Sequence, residues 1–182
     1  MTEILSINEI IGQILGILAL IVTIICYQLN SQKKMLAAQM LAATLFTVNL
    51  ALLGGLSGAL LNIHGICRCL TFYQRGRHKW ADHTTFWVWF YSIAAVLCVA
   101  VTFKSPLDIL PLIGQIFTTI SFAQKDASKV RLFTLPSPPC WFVYHLSTGN
   151  IGGTLNEIFV ICSIVIGMFR LDRKKESTPK AE

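Results

Sequence analysis

Ser57-Gly58-Ala59-Leu60-Leu61-Asn62 is echoed 94 residues later by Ile151-Gly152-Gly153-Thr154-Leu155-Asn156. Each stretch opens an apolar helix that runs on to a basic segment, so an amide stands at matching depth in two corresponding places. A polar group repeated in this way marks a central pathway built by duplication. The chain around the pair is 54% hydrophobic and 13% charged, with a mean hydropathy of +0.62. Soluble domains carry about 25% charged residues, so the expected solvent is a bilayer. A hydrocarbon core roughly 30 Å thick takes about 20 residues per helix. The 182 residues therefore hold seven spans and leave no room for an extramembrane catalytic domain.

Uncharged stretches place the spans at 10–29, 35–53, 56–73, 84–103, 107–124, 132–146 and 151–169. Acidic Glu3 and Glu9 precede the first run where a signal peptide needs basic residues, so that run is expected to stay as a span. Met35 to Cys67 is 33 residues without a charge. As one helix it would be about 50 Å long and would overshoot the membrane. Gly54-Gly55 is the expected reversal, and Gly149-Asn150 plays the same part between the last two spans. Thirteen of the fifteen Lys and Arg follow the first, third, fifth and seventh spans; only Lys104 lies on the other side, with Arg68 inside the third. The positive-inside rule then puts the amino terminus outside and the carboxyl terminus in the cytoplasm. It also accounts for the net charge of +6 without nucleic acid.

The pattern divides into a first three-helix repeat (1–79), a linker helix (80–104), a second repeat (105–170) and a disordered cytoplasmic tail (171–182). The linker is rich in Phe86, Trp87, Trp89, Phe90 and Tyr91, which fits an interfacial aromatic belt. An odd three-span unit needs one extra crossing before its copy can face the same way.

Three-plus-one-plus-three spans, an outside amino terminus and an Asn in the third helix of each repeat resemble the SWEET and PQ-loop superfamily. Within it the chain is most similar to the bacterial inner-membrane YgjV family, over about Gly12 to Arg170. The most specific pieces are Leu110-Pro111-Leu112-Ile113-Gly114, Gly149-Asn150-Ile151-Gly152-Gly153-Thr154 and Leu61-Asn62. The resemblance implies an all-α membrane protein in which two parallel three-helix bundles are joined by a linker helix. It also implies that Asn62 and Asn156 contact substrate. Of the Pro-Gln motif, Tyr27-Gln28 and Ala123-Gln124 keep the Gln alone. Gln28, Gln124 and Pro111 are the hinge candidates.

Asn62 and Asn156 each offer two donors and an acceptor, suited to a solute's hydroxyls. Glu157 is the one acid well inside an apolar stretch, and an intramembrane carboxylate marks a functional site by default. Arg68 is its expected counter-ion, or else a snorkelling residue. Asn49 and Tyr144 complete the candidate pocket, whereas His64 and His145 read as packing residues. Pro111, inside the fifth span, is expected to kink it. Gly12-x-x-x-Gly16, Gly54-x-x-x-Gly58 and Gly149-x-x-x-Gly153 are expected to let helices approach closely.

The six cysteines form no C-x-x-C and no His stands at metal-ligand spacing, so neither metal nor cofactor is expected. There is no H-E-x-x-H or G-x-S-x-G, which argues against an enzyme and leaves no catalytic residue to name. The leading expectation is a transporter or facilitator of a small polar solute, working by alternating access between two bundles. The alternative is a non-transporting assembly or signalling protein that keeps the fold. Expected partners are the lipid bilayer, the solute and a second copy of the chain.

Overall fold

The computed structural model describes residues 7–52, 56–103, 105–147 and 151–172. Among them every regular element is helical and there is no strand. Helix α1 (Ile7–Cys26) leads through a tight turn, in which Gln28 N–H bonds Ile25 O at 2.9 Å, into α2 (Gln32–Leu52). Helix α3 (Leu56–Tyr73) follows, then α4 (Thr84–Thr102) and α5 (Ile109–Phe122). The chain continues through α6 (Ala127–Thr134), α7 (Ser137–Ser147) and α8 (Ile151–Gly167). The Gly54-Gly55 and Gly149-Asn150 turns and Lys104 lie outside the described residues.

Local chemistry sets several boundaries. Gly76 takes a left-handed φ of 78°, and its N–H donates to Asp82 Oδ1 at 2.7 Å, turning the chain from α3 into a short 3-10 turn before α4. Ser105 and Asp108 form a reciprocal capping box, with Pro106 in the first turn. Pro111 is the third residue of α5, in a first turn where a missing N–H leaves little unmade. It stands inside the span as expected, but in the first turn, where a proline gives no cause for the expected kink.

The expected single span 132–146 is replaced by two helices, α6 and α7. Pro136, Pro138 and Pro139 cannot donate to Leu132, Thr134 and Leu135, so one continuous ladder is impossible there. Asp126 caps α6 by accepting from Ser128 N–H at 3.3 Å, five residues earlier than the charge pattern implied. The tail differs too. Met168–Asp172 continues α8 as a π-helical turn, so Leu171 and Asp172 are ordered. Residues 173–182 lie outside the described residues.

Helix α2 packs along both α1 and α3, and α7 packs between α5 and α8. Helix α4 lies against α5, touching α3 through the hydroxyls of Tyr91 and Thr71 at 2.7 Å. Gly16 admits the Asn49 side chain, whose amide nitrogen would lie only 3.1 Å from a Cβ there. Asn49 Nδ2 in turn donates to Gly12 O at 2.7 Å, tying α2 to α1. The Gly12 and Gly16 pair thus works as the spacing predicts.

The core gathers where α1, α3, α5 and α8 end and α2 and α6 begin. Cys26, Tyr27, Met35, Leu36, Phe72, Phe122, Val130 and Ile164 are buried there together. This is also the basic end of the molecule, flanked by Lys33, Lys34, Arg75 and Lys129. Elsewhere the outer faces are apolar. Ile10, Ile14, Ile17, Ile21 and Ile25 form one exposed stripe along α1, and Phe86, Trp89, Phe90, Ile93 and Leu97 another along α4. Apolar area on this scale calls for lipid or protein cover.

Candidate functional site

Above the core the helices line an open cavity of about 680 Å³, within the range of about 300–1,000 Å³ typical of small-molecule sites. Its floor includes Tyr27, Arg68 and Thr134, beside the core cluster, and its walls reach Gln13, Asn49 and His145 toward the opposite end of the helices. Every helix except α4 contributes to the lining.

Asn62 and Asn156 both line this one cavity, although 94 residues separate them. Asn49, Arg68 and Glu157 line it as well. Tyr144 is not on the lining; its ring packs edge-on against Trp141 and beside His145, which are. Gln28 and Gln124 sit at the basic end, away from the cavity. Gln28 Nε2 donates to Ser163 O at 2.6 Å, and Gln124 Nε2 to Ile120 O at 3.0 Å.

The expected pairing of Arg68 with Glu157 is not formed. Arg68 is 3% exposed, so it does not snorkel. Its Nη1 donates to Gln115 Oε1 at 2.8 Å and Thr119 Oγ1 at 3.0 Å, and its guanidinium lies 5.5 Å from the centre of the Phe122 ring. Glu157 Oε1 accepts from Asn156 Nδ2 at 3.1 Å. Both groups face the cavity with neutral partners. Three lining residues also keep a buried polar atom with no hydrogen-bond partner among the described residues: Arg68 Nε, Asn156 Oδ1 and Gln39 Oε1. A buried polar atom left unsatisfied costs about 1–3 kcal/mol, which is the kind of cost a ligand can relieve. His64 faces elsewhere, edge-on to Tyr91 with ring centres 5.3 Å apart.

The basic end is built oppositely. Arg131 is 1% exposed and joins Asp172 in the one ion pair among the described residues. Its Nη1 donates to Tyr27 O at 3.2 Å and Leu29 O at 2.8 Å, at the close of α1. In the reverse direction Arg75, following α3, donates to Ala123 O and to Gln124 O at 3.1 Å, at the close of α5. Gln32 Nε2 reaches Phe122 O at 3.1 Å, and Ser163 Oγ reaches Ile24 O at 2.6 Å. Gly167 lets α8 approach so closely that a Cβ there would collide with Tyr27 O. Each half thus closes over the last carbonyls of the other.

Sequence reading missed this closure because Arg131 counts as one more cytoplasmic charge. It missed Gln39 and Gln115 in the cavity wall too. Each is a lone Gln in an uncharged stretch, and that was the available signal.

An all-helical chain whose outer faces are apolar and whose amides and lone charges turn toward a shared interior has the build of a helical membrane protein. The family model for a bacterial inner membrane protein, YgjV, matches residues 10–175, and the chain belongs to that family. Comparison with curated proteins and with solved structures finds no match.

Two helical segments, Thr84–Val101 and Gly153–Asp172, are long and apolar enough to cross a bilayer by length and composition; Ile10–Cys26 and Pro106–Phe122 are shorter apolar helices. Helices α2 and α3 carry Gln39, Asn49, Asn62 and Arg68 on the cavity wall. Such residues lower the hydropathy of a helix without facing lipid.

Proposed function

We propose that the chain is a transporter or facilitator of a small polar solute and not an enzyme. It crosses the inner membrane seven times, α6 and α7 together making the sixth crossing, with the amino terminus outside and the carboxyl terminus in the cytoplasm. Two three-helix bundles, related as in the SWEET and PQ-loop superfamily and joined by α4, rock against each other around Asn62 and Asn156. The observation that carries this reading is that the two repeated amides line one cavity closed at the basic end. A non-transporting scaffold has no use for a hollow lined by amides and lone charges.

The cavity with its closed basic end corresponds to one half of an alternating-access cycle, occluded from the cytoplasm. Opening the other way requires Arg131 and Arg75 to release the carbonyls they hold, with Gln28 and Gln124 at the same joints. Flux of candidate solutes into proteoliposomes should fall at least about tenfold in Asn62→Ala and in Asn156→Ala. Unchanged flux in a folded protein removes the two amides from the pathway. Reporter fusions to the two ends should place them on opposite sides of the membrane, and same-side labelling would rule out an odd number of crossings.

A further inference from the structure

Arg68 and Glu157 are ionisable residues in one cavity, and neither has an oppositely charged group beside it among the described residues, where Arg131 and Asp172 form the only ion pair. A charge held out of water without a counter-charge costs several kcal/mol, so structures rarely keep two unless something else is meant to meet them. The leftover hydrogen-bonding capacity is sorted by kind. At Arg68 the unused atom is a donor, Nε, on a guanidinium whose flat edge suits a carboxylate. At Glu157 the group itself only accepts when ionised. Its neighbour Asn156 spends its NH₂ on it and keeps a free Oδ1, while Gln39 across the cavity also keeps a free acceptor.

We propose that the solute is a small zwitterion, a molecule carrying both a carboxylate and an ammonium group, with the carboxylate at Arg68 and the ammonium at Glu157. This inference rests on the transport reading of the same cavity. Arg68 lies six residues beyond Asn62 along α3, or about 9 Å deeper at 1.5 Å per residue, while Glu157 directly follows Asn156 on α8. On the duplication reading, which sets Asn62 and Asn156 at one depth, the two groups belong to different depths, and the solute lies along the cavity with its carboxylate toward the basic end. A sugar hydroxyl both donates and accepts, and would leave both charges uncompensated. A lone anion would leave Glu157 unmatched, and a lone amine would leave Arg68 unmatched.

Calorimetric titration of the full chain in detergent tests this with glycine, β-alanine, γ-aminobutyrate and diglycine, whose charges are progressively further apart. Propionate, propylamine and glucose serve as comparators. At least one zwitterion should bind about tenfold or more tightly than every comparator. Glu157→Gln should bring that zwitterion and propionate to within about twofold of each other, and Arg68→Gln should abolish binding that Arg68→Lys partly keeps. If Arg68→Gln does not fold, Glu157→Gln alone decides. The proposal is overturned if no zwitterion surpasses glucose, or if Glu157→Gln leaves the preference intact. Zwitterion binding without flux in proteoliposomes would retire transport and leave this assignment standing. Glucose flux without zwitterion binding would do the reverse.

Discussion

The two ends of the helix assembly use the same residue types for opposite purposes. At the basic end, Arg131 is matched by Asp172 and two carbonyls, Gln28 and Gln32 donate across the halves, and apolar side chains fill the remaining space. In the cavity, Arg68 meets only neutral partners and one nitrogen goes unused, while Gln39 and Asn156 keep free acceptors around open volume. An arginine or an amide in a membrane helix is therefore not diagnostic by itself. What distinguishes the closure from the cavity is how much of its hydrogen-bonding capacity is spent: among the described residues Gln28 Oε1 stays unpartnered at the basic end, against three atoms of cavity-lining residues.

Breaking the spent end should cost the most stability. Arg131→Ala removes the counter-charge of Asp172, which keeps the Ser128 hydroxyl, and takes the donor from the carbonyls of Tyr27 and Leu29; removing one partner of a buried pair costs about 3–5 kcal/mol. Thermal unfolding in detergent should show this as the largest fall in melting temperature among single substitutions in either region. Asp172→Asn should do less, since Arg131 keeps its two carbonyls. Equal stability of Arg131→Ala and the parent would mean that the closure does not hold the halves together.

Gly167→Ala should come next, because its Cβ has no room beside Tyr27 O. Overpacking of this kind costs about 1–3 kcal/mol, and the expected result is a lower melting temperature with faster cysteine labelling of buried Cys26 and Cys69. Unaltered labelling would show that α8 can shift without opening that end.

The smallest stability effect belongs to the cavity. Asn62→Ala and Asn156→Ala should change unfolding by less than about 1 kcal/mol, in line with the roughly 0.6 kcal/mol average of polar contacts in membranes. Their solute flux should nevertheless fall sharply. Asn49→Ala provides the control within the same cavity: its amide ties α2 to α1 through Gly12 O, whereas that of Asn156 bonds its own neighbour Glu157, so it should lose more stability than Asn156→Ala. If Asn156→Ala proved as destabilising as Arg131→Ala, the contrast between the two regions would collapse.

Much of the fold was legible in the sequence. The helical ends of α3, α4 and α8 fall close to the uncharged stretches because a charge or a turn residue bounds each one. The sixth stretch misled because charge alone marked its start, whereas Asp126 capping and three prolines decide where α6 and α7 begin and end. Asn62 and Asn156 could be found because they recur, and Glu157 because a lone acid stands out in an apolar run. Gln39 and Gln115 recur nowhere and carry no charge.

By itself the amino-acid order determined that the chain is helical and suited to a membrane, which residues carry charge, and which amides repeat, since these follow from local hydropathy and spacing. Only the tertiary structure decided which charges meet. Arg68, expected to meet Glu157, bonds Gln115 and Thr119 instead, while Arg131 and Asp172, 41 residues apart, pair with each other. Pairing depends on which helix faces lie opposite at the same depth, and that is set by the packing of all the helices together rather than by any one of them.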